Sequence, residues 1–102
     1  MSVPKNNASR SNAQADMKAL FKAFAALKSG SEIERFLRDL ATPAELAAFA
    51  ERWRIAQLLD KGEMSYRDIA MQTGSSTTTI GRVARFLRDE PHHGYRLVLD
   101  RK

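Results

Sequence analysis

Apolar side chains recur at helical spacing along most of this chain, and the points where the recurrence stops divide it into five helices and a tail. From Asp16, the residues Met17, Leu20, Phe21, Phe24 and Leu27 fall at the i, i+3, i+4, i+7 intervals that gather on one face of a helix. Ser29-Gly30-Ser31 ends it. Ser31 and Glu34 have the capping-box spacing, so a second helix carrying Ile33, Phe36, Leu37 and Leu40 is expected to begin at Ser31. Thr42-Pro43-Ala44-Glu45 repeats the device with proline at the first helical position, where its missing N–H costs nothing. The third helix should run to about Lys61, burying Leu46, Phe49, Trp53, Leu58 and Leu59, and Gly62 stops it. Ser65 and Asp68 open a fourth helix over residues 66–72, too short to hold without packing. Thr73-Gly74-Ser75 is its turn, and a fifth helix spans about 76–87 before Asp89-Glu90-Pro91, an acidic stretch unfavourable near a helix C-terminus. Residues 91–102 form a tail that fits either a short helix or an extended segment, because Tyr95, Leu97 and Leu99 also alternate at period two. Residues 1–14 lack periodicity and are expected to be a flexible basic arm.

Composition narrows the class. With 102 residues, 43% of them hydrophobic, the chain fits one small helical domain over 15–102 and excludes a multidomain enzyme. A chain of this size buries only a modest fraction of its surface, and apolar stripes this broad are better covered by a second copy, so residues 15–61 are expected to form a homodimer core. No cysteine is present, which excludes disulfides and thiolate metal sites. The polar start and the absence of a window of roughly 20 apolar residues predict a cytoplasmic protein with no membrane segment. The net charge of +5 is unevenly placed: residues 19–65 are neutral, residues 1–18 carry +2 and residues 66–102 carry +3.

The specific signal lies in residues 66–87. A helix-turn-helix needs a small residue where its two helices meet, a glycine at the turn and apolar anchors on the inner face of the second helix. Ala70, Gly74, and Ile80 with Val83 supply these, with Ile69 completing the small core. The second helix opens on Ser76-Thr77-Thr78-Thr79, a poor helix-forming run. Capping by Ser75 or Ser76 accounts for one or two of these hydroxyls; four together suit contact with base edges, where a hydroxyl donates or accepts and a threonine methyl meets thymine. Arg82, Arg85 and Arg88 follow at i, i+3, i+6, with Arg67 early in the preceding helix, and Asp68 is the one acid between 66 and 88. That placement suits phosphate contacts.

Thr42-Pro43, Arg52-Trp53-Arg54-Ile55, Gly62-Glu63-Met64-Ser65, Arg67, Gly74, Thr79-Ile80 and Arg82 stand in an order and spacing that resembles the bacterial tryptophan repressor family over about residues 38–88. The ending Gly94-Tyr95 with Val98 and Arg101 is similar to the YerC/YecD-type branch of that family. The resemblance implies an all-α, intertwined homodimer placing two recognition helices in successive major grooves of a near-palindromic operator. It also implies a ligand pocket at Thr42, Arg52 and Arg82, which match positions holding the corepressor. Val83 and Phe86 depart from that pattern, standing where the repressor has a glycine and a serine. A valine fills open space and a phenyl ring replaces a polar partner, so no tryptophan corepressor and no other cofactor is expected. Two readings stay open: a pocket filled by the protein's own side chains, or one reshaped for another small effector. Among DNA-facing positions, Arg67 and Thr79 match the family, whereas Thr77, Thr78 and Gly81 differ at base-reading positions and Ala70 replaces a lysine, so the operator sequence should differ. Arg52 is open between a phosphate contact, a ligand contact and an ion pair with Glu45 or Glu51.

The remaining signals add little. His92-His93 lacks the further ligands a metal site needs and reads as a solvated turn. Trp53 reads as core or dimer packing, and no nucleophile-base-acid set points to an enzyme. The expected function is a sequence-specific DNA-binding transcriptional regulator acting as a repressor, with Arg67, Ser76, Thr77, Thr78, Thr79, Gly81, Arg82 and Arg85 at the DNA. The alternatives are a helical dimer that binds a protein partner and a regulator gated by a different small ligand.

Overall fold

The computed structural model describes residues 5–101, with side chains from residue 12 onward. The described residues form six α-helices and no strand: α1 Lys5–Ala26, α2 Gly30–Leu40, α3 Pro43–Lys61, α4 Tyr66–Thr73, α5 Thr77–Arg88 and α6 Gly94–Leu99. They fall into two compact units, the first ending at Leu40 and the second beginning at Ala41.

In the first unit, α1 reaches back to Lys5, so the expected arm is helical over residues 5–14, and residues 1–4 lie outside the described part. No glycine or proline interrupts residues 5–15, and alanines recur there at 8, 13 and 15. Once the amphipathic segment is nucleated, extending it through such residues costs little. The cap of α2 also sits two residues earlier than the spacing suggested. Ser29 Oγ accepts from the Glu32 N–H at 3.1 Å, and Glu32 Oε1 accepts from the Lys28 N–H at 2.8 Å. Glu34, expected in the cap, pairs instead with Arg38 one turn on, at 3.1 Å. Phe24 and Phe36 meet edge to face at 5.1 Å, an arrangement favoured by the ring quadrupoles.

The second unit holds the core. Ile55, Ala56 and Leu59 of α3, Ile69 of α4, and Ile80, Val83, Ala84 and Leu87 of α5 are all buried. The burial of α3 is therefore shifted toward its C-terminal half: Leu59 is buried as expected, Leu46, Trp53 and Leu58 only partly, and Phe49 remains 48% exposed. The hairpin covers only that half of the helix. Within the tail, Gly94–Leu99 are helical. Arg96 Nη2 binds Asp60 at 2.8 Å and Asp100 at 3.1 Å, tying α6 to α3, and the hydrogen bond to Asp60, then that to Asp100, raises the guanidinium pKa further. Entry into α6 uses His93 in the left-handed region at φ 53°, one of the few conformations in which histidine tolerates positive φ.

The expected capping box of α3 is formed. The Thr42 N–H donates to Glu45 Oε1 at 2.8 Å and the Glu45 N–H donates to Thr42 Oγ1 at 3.1 Å. The Thr42 backbone N–H, followed by its hydroxyl, holds the Glu45 carboxyl below its ordinary value. A depressed folded pKa gives a stabilisation that is present above the unfolded value and lost as pH falls through the folded one. The melting temperature of the wild type should therefore drop on acidification through the carboxylate range more than that of Glu45→Gln. Thermal denaturation followed by circular dichroism checks this; parallel profiles would remove the box as a titrating contact.

Candidate nucleic-acid interface

The helix-turn-helix is assembled by short-range polar contacts around an apolar centre. Ser65 Oγ caps α4 by accepting from the Asp68 N–H at 3.1 Å. Gly74 leaves α4 with φ 76° while its N–H donates to the Ala70 carbonyl at 2.9 Å, a left-handed stop suited to glycine. The Thr73 hydroxyl donates to the Ile69 carbonyl at 2.7 Å and accepts from the Ser75 N–H at 3.2 Å. Ser75, only 7% exposed, donates its hydroxyl to the Glu51 carboxylate of α3. Ser76 then caps α5, its Oγ accepting from the Thr79 N–H at 3.1 Å. The two hydroxyls of Ser76 and Thr79 also share a hydrogen bond of 3.0 Å.

The four hydroxyls expected at the DNA therefore divide into two pairs. Ser76 and Thr79 are occupied in the cap. Thr77 and Thr78 are exposed and make no side-chain hydrogen bond among the described residues. Ile69, Ile80 and Val83 lie in the core as the motif requires, and Ala70 packs at its edge. Gly81 stands inside α5 with open space where a Cβ would be, so no packing within the chain calls for glycine there.

The arginines are less uniform than their spacing suggests. Arg67 is exposed on α4. The Arg82 guanidinium lies 4.4 Å from the centre of the Phe86 ring and that of Arg85 lies 5.2 Å from the same ring, both cation–π contacts. Arg85 also pairs with Glu90 at 3.4 Å, and Arg88 Nη1 approaches the Tyr66 hydroxyl at 3.5 Å.

Behind α5 a cleft of about 300 Å³ is lined by Arg52, Arg82, Val83, Phe86, His92, Gly94 and Tyr95. Four of the five residues expected in a pocket meet there. Thr42 does not line it and serves as the N-cap of α3. His92, Gly94 and Tyr95 join them from the tail, whose conformation the sequence alone leaves open. His92, exposed but not simply solvated, stacks on Phe86 at 6.4 Å, and Tyr95 stacks on Trp53 at 6.4 Å. Arg52 makes no ion pair with Glu45 or Glu51 among the described residues: Glu45 caps α3 and Glu51 is engaged by Ser75, leaving the Arg52 guanidinium 5.9 Å from the Phe49 ring. No three His, Asp or Glu side chains converge as metal ligands among the described residues.

A tight glycine turn, a capped second helix with two open threonines and a compact apolar centre place the chain in the helix-turn-helix class. Comparison with known proteins narrows this further: the family described as Trp repressor protein matches residues 15–102, and the chain belongs to that family. It is 37% identical over 86 residues to YerC of Bacillus subtilis, an uncharacterised protein, covering 84% of this chain and 81% of YerC. Two crystal structures are similar. A TrpR-like protein from Eubacterium eligens matches with a TM-score of 0.77 and 35% identity, over 84% of this chain and 87% of that one. A candidate Trp repressor from Staphylococcus aureus matches with a TM-score of 0.75 and 32% identity, over 84% of each chain. Family membership suggests a DNA-binding regulator. No described helix is long and apolar enough to cross a membrane.

Proposed function

We propose that this protein is a homodimeric, sequence-specific transcriptional repressor that reads an operator with α5 and does so without tryptophan. The observation that carries the reading is the start of α5, where Thr77 and Thr78 present unengaged hydroxyls just after the Ser76 cap. A recognition helix meets base edges with its N-terminal residues, and short hydroxyls there suit either base partner. Ser76 and Thr79 set the helix start, and Gly81 leaves room for close approach. Arg67, with Arg82 and Arg85 along α5, supplies positive charge for phosphates, Arg85 at the expense of its pairing with Glu90.

Dimerisation is supported by the first unit, where Met17 is 55% and Phe21 59% exposed and no described side chain of α1 or α2 is buried. Independence from tryptophan is supported by the cleft. Phe86 lies within it, flanked by Arg82 and His92, so an aromatic ring of the chain already occupies guanidinium-stacking space. A second reading is favoured by Arg52 and Arg82 on the same cleft: a small anion other than tryptophan gates the protein. Thermal-shift assays across small carboxylates separate the two, since an unliganded regulator shows no shift with any of them.

Selection from a randomised duplex pool should enrich one near-palindromic site. Thr78→Ala should then weaken binding to that duplex about three- to tenfold, by loss of a hydroxyl contact. Arg67→Ala should weaken binding to all duplexes alike and lower the slope of log affinity against log salt by about 1. Affinity that is flat with salt, or no enrichment at all, would favour a protein-binding module instead.

A further inference from the structure

Among the described residues, Ser75 is the one buried polar side chain of the second unit, and its partner lies 24 residues away: its hydroxyl donates to the Glu51 carboxylate on α3. Ser75 occupies the residue between the turn glycine and the cap of the recognition helix. Its N–H is held by Thr73 and the next residue, Ser76, fixes where α5 begins. The core that the hairpin shares with α3 is apolar packing, which resists separation but is weakly directional. A hydroxyl donating to a carboxylate is directional and charge-assisted.

We infer that Glu51 and Ser75 form a positioning latch that sets the start of the recognition helix against α3, and so the aim of Thr77 and Thr78 at the bases. The inference rests on the DNA-reading role of α5 proposed above. Neither residue touches DNA; the latch acts through α5. Burial makes the pair asymmetric. Removing the carboxylate strands a buried hydroxyl, whereas removing the hydroxyl leaves a half-buried carboxylate that water can still reach.

The test uses the full chain and the duplex that the wild type selects from a randomised pool. Glu51→Ala should lower affinity for that duplex about tenfold and Ser75→Ala about threefold, with the double variant no weaker than Glu51→Ala alone. Glu51→Gln retains a carbonyl acceptor for the Ser75 hydroxyl and should stay within about twofold of wild type. That rescue separates positioning from a general loss of charge, and matched circular dichroism spectra show that the variants are folded. Amide hydrogen exchange supplies a readout independent of DNA: in Glu51→Ala, residues 75–80 should lose protection about tenfold while Ile55 and Leu59 keep theirs. Additive affinity losses, or unchanged exchange at 75–80, would overturn the latch. If the wild type enriches no duplex, the DNA reading fails, and the exchange measurement still decides the latch.

Discussion

Phe21→Asp should convert the proposed dimer to a monomer and abolish operator binding while α3 to α6 stay folded. Phe21 is 59% exposed on α1, with Met17 55%, Ile33 41% and Leu40 51% exposed in the same unit. A pair of helices with no described buried side chain has little to hold it in isolation, since most helical stability in proteins comes from packing an apolar face. Covering one phenylalanine is worth about 1.5–3 kcal/mol, and a two-fold interface counts it twice. Aspartate forfeits that gain and places a charge where it cannot be solvated. Light scattering after gel filtration should give twice the 11.5 kDa chain mass for the wild type and the single mass for the variant. Operator affinity should fall steeply with it, because a single reading head would lose the contribution of a second half-site. A wild type that is monomeric at micromolar concentration, or a variant that remains dimeric, would end this assignment of the exposed face.

Ile80→Ala should be among the most damaging single truncations in the second unit. Ile80 is fully buried on α5 among Ile55, Ile69 and Val83, which come from three different helices. Loss of a buried isoleucine to alanine costs about 2–5 kcal/mol, the removed methylenes and the cavity adding together. A domain of this size has about 5–15 kcal/mol of stability in total. Each kcal/mol moves the melting temperature by about 4–8 °C, so thermal denaturation should show a fall of about 10 °C or more. Ile80→Val, which leaves most of the volume, should cost only about 0.5–1.5 kcal/mol. A loss below about 1 kcal/mol for the alanine variant would show that the hairpin does not depend on this contact.

The helix-turn-helix was the most legible part of the chain, and the reasons are local. Gly74 at its turn, Ser65 and Ser76 as caps, and Ile69, Ile80 and Val83 as anchors all work through neighbours within a few positions, apart from the apolar centre they share. The cap of α2 is not legible from spacing alone, because Ser29 and Ser31 each have a glutamate three residues on, at 32 and 34. Pairing of Glu34 with Arg38 leaves Ser29 and Glu32 to serve the cap. The start of α1 is hidden for a different reason: residues 5–14 show no apolar periodicity, but helix extension from a formed segment does not need any. Phe49 was expected inside because its stripe is continuous with Leu59, yet what covers a stripe depends on where the neighbouring helices end.

Periodicity, caps and turn chemistry thus determined by themselves that the chain is helical, where most of its helices start and stop, and that residues 66–87 make a helix-turn-helix. They could do so because a backbone hydrogen bond in a helix or cap joins residues at most about four apart. Only the tertiary structure decided the rest. The Ser75–Glu51 contact spans 24 residues and the Arg96–Asp60 contact 36, distances at which sequence spacing carries no register. Once α6 is tied to α3, its tail residues His92, Gly94 and Tyr95 complete a cleft with Arg52 and Arg82. Arg82, one of three similar arginines by spacing, turns onto Phe86 because that ring lies one turn away beside the cleft. Which charges face outward and which serve the fold is settled by packing, and packing joins residues that the sequence keeps apart.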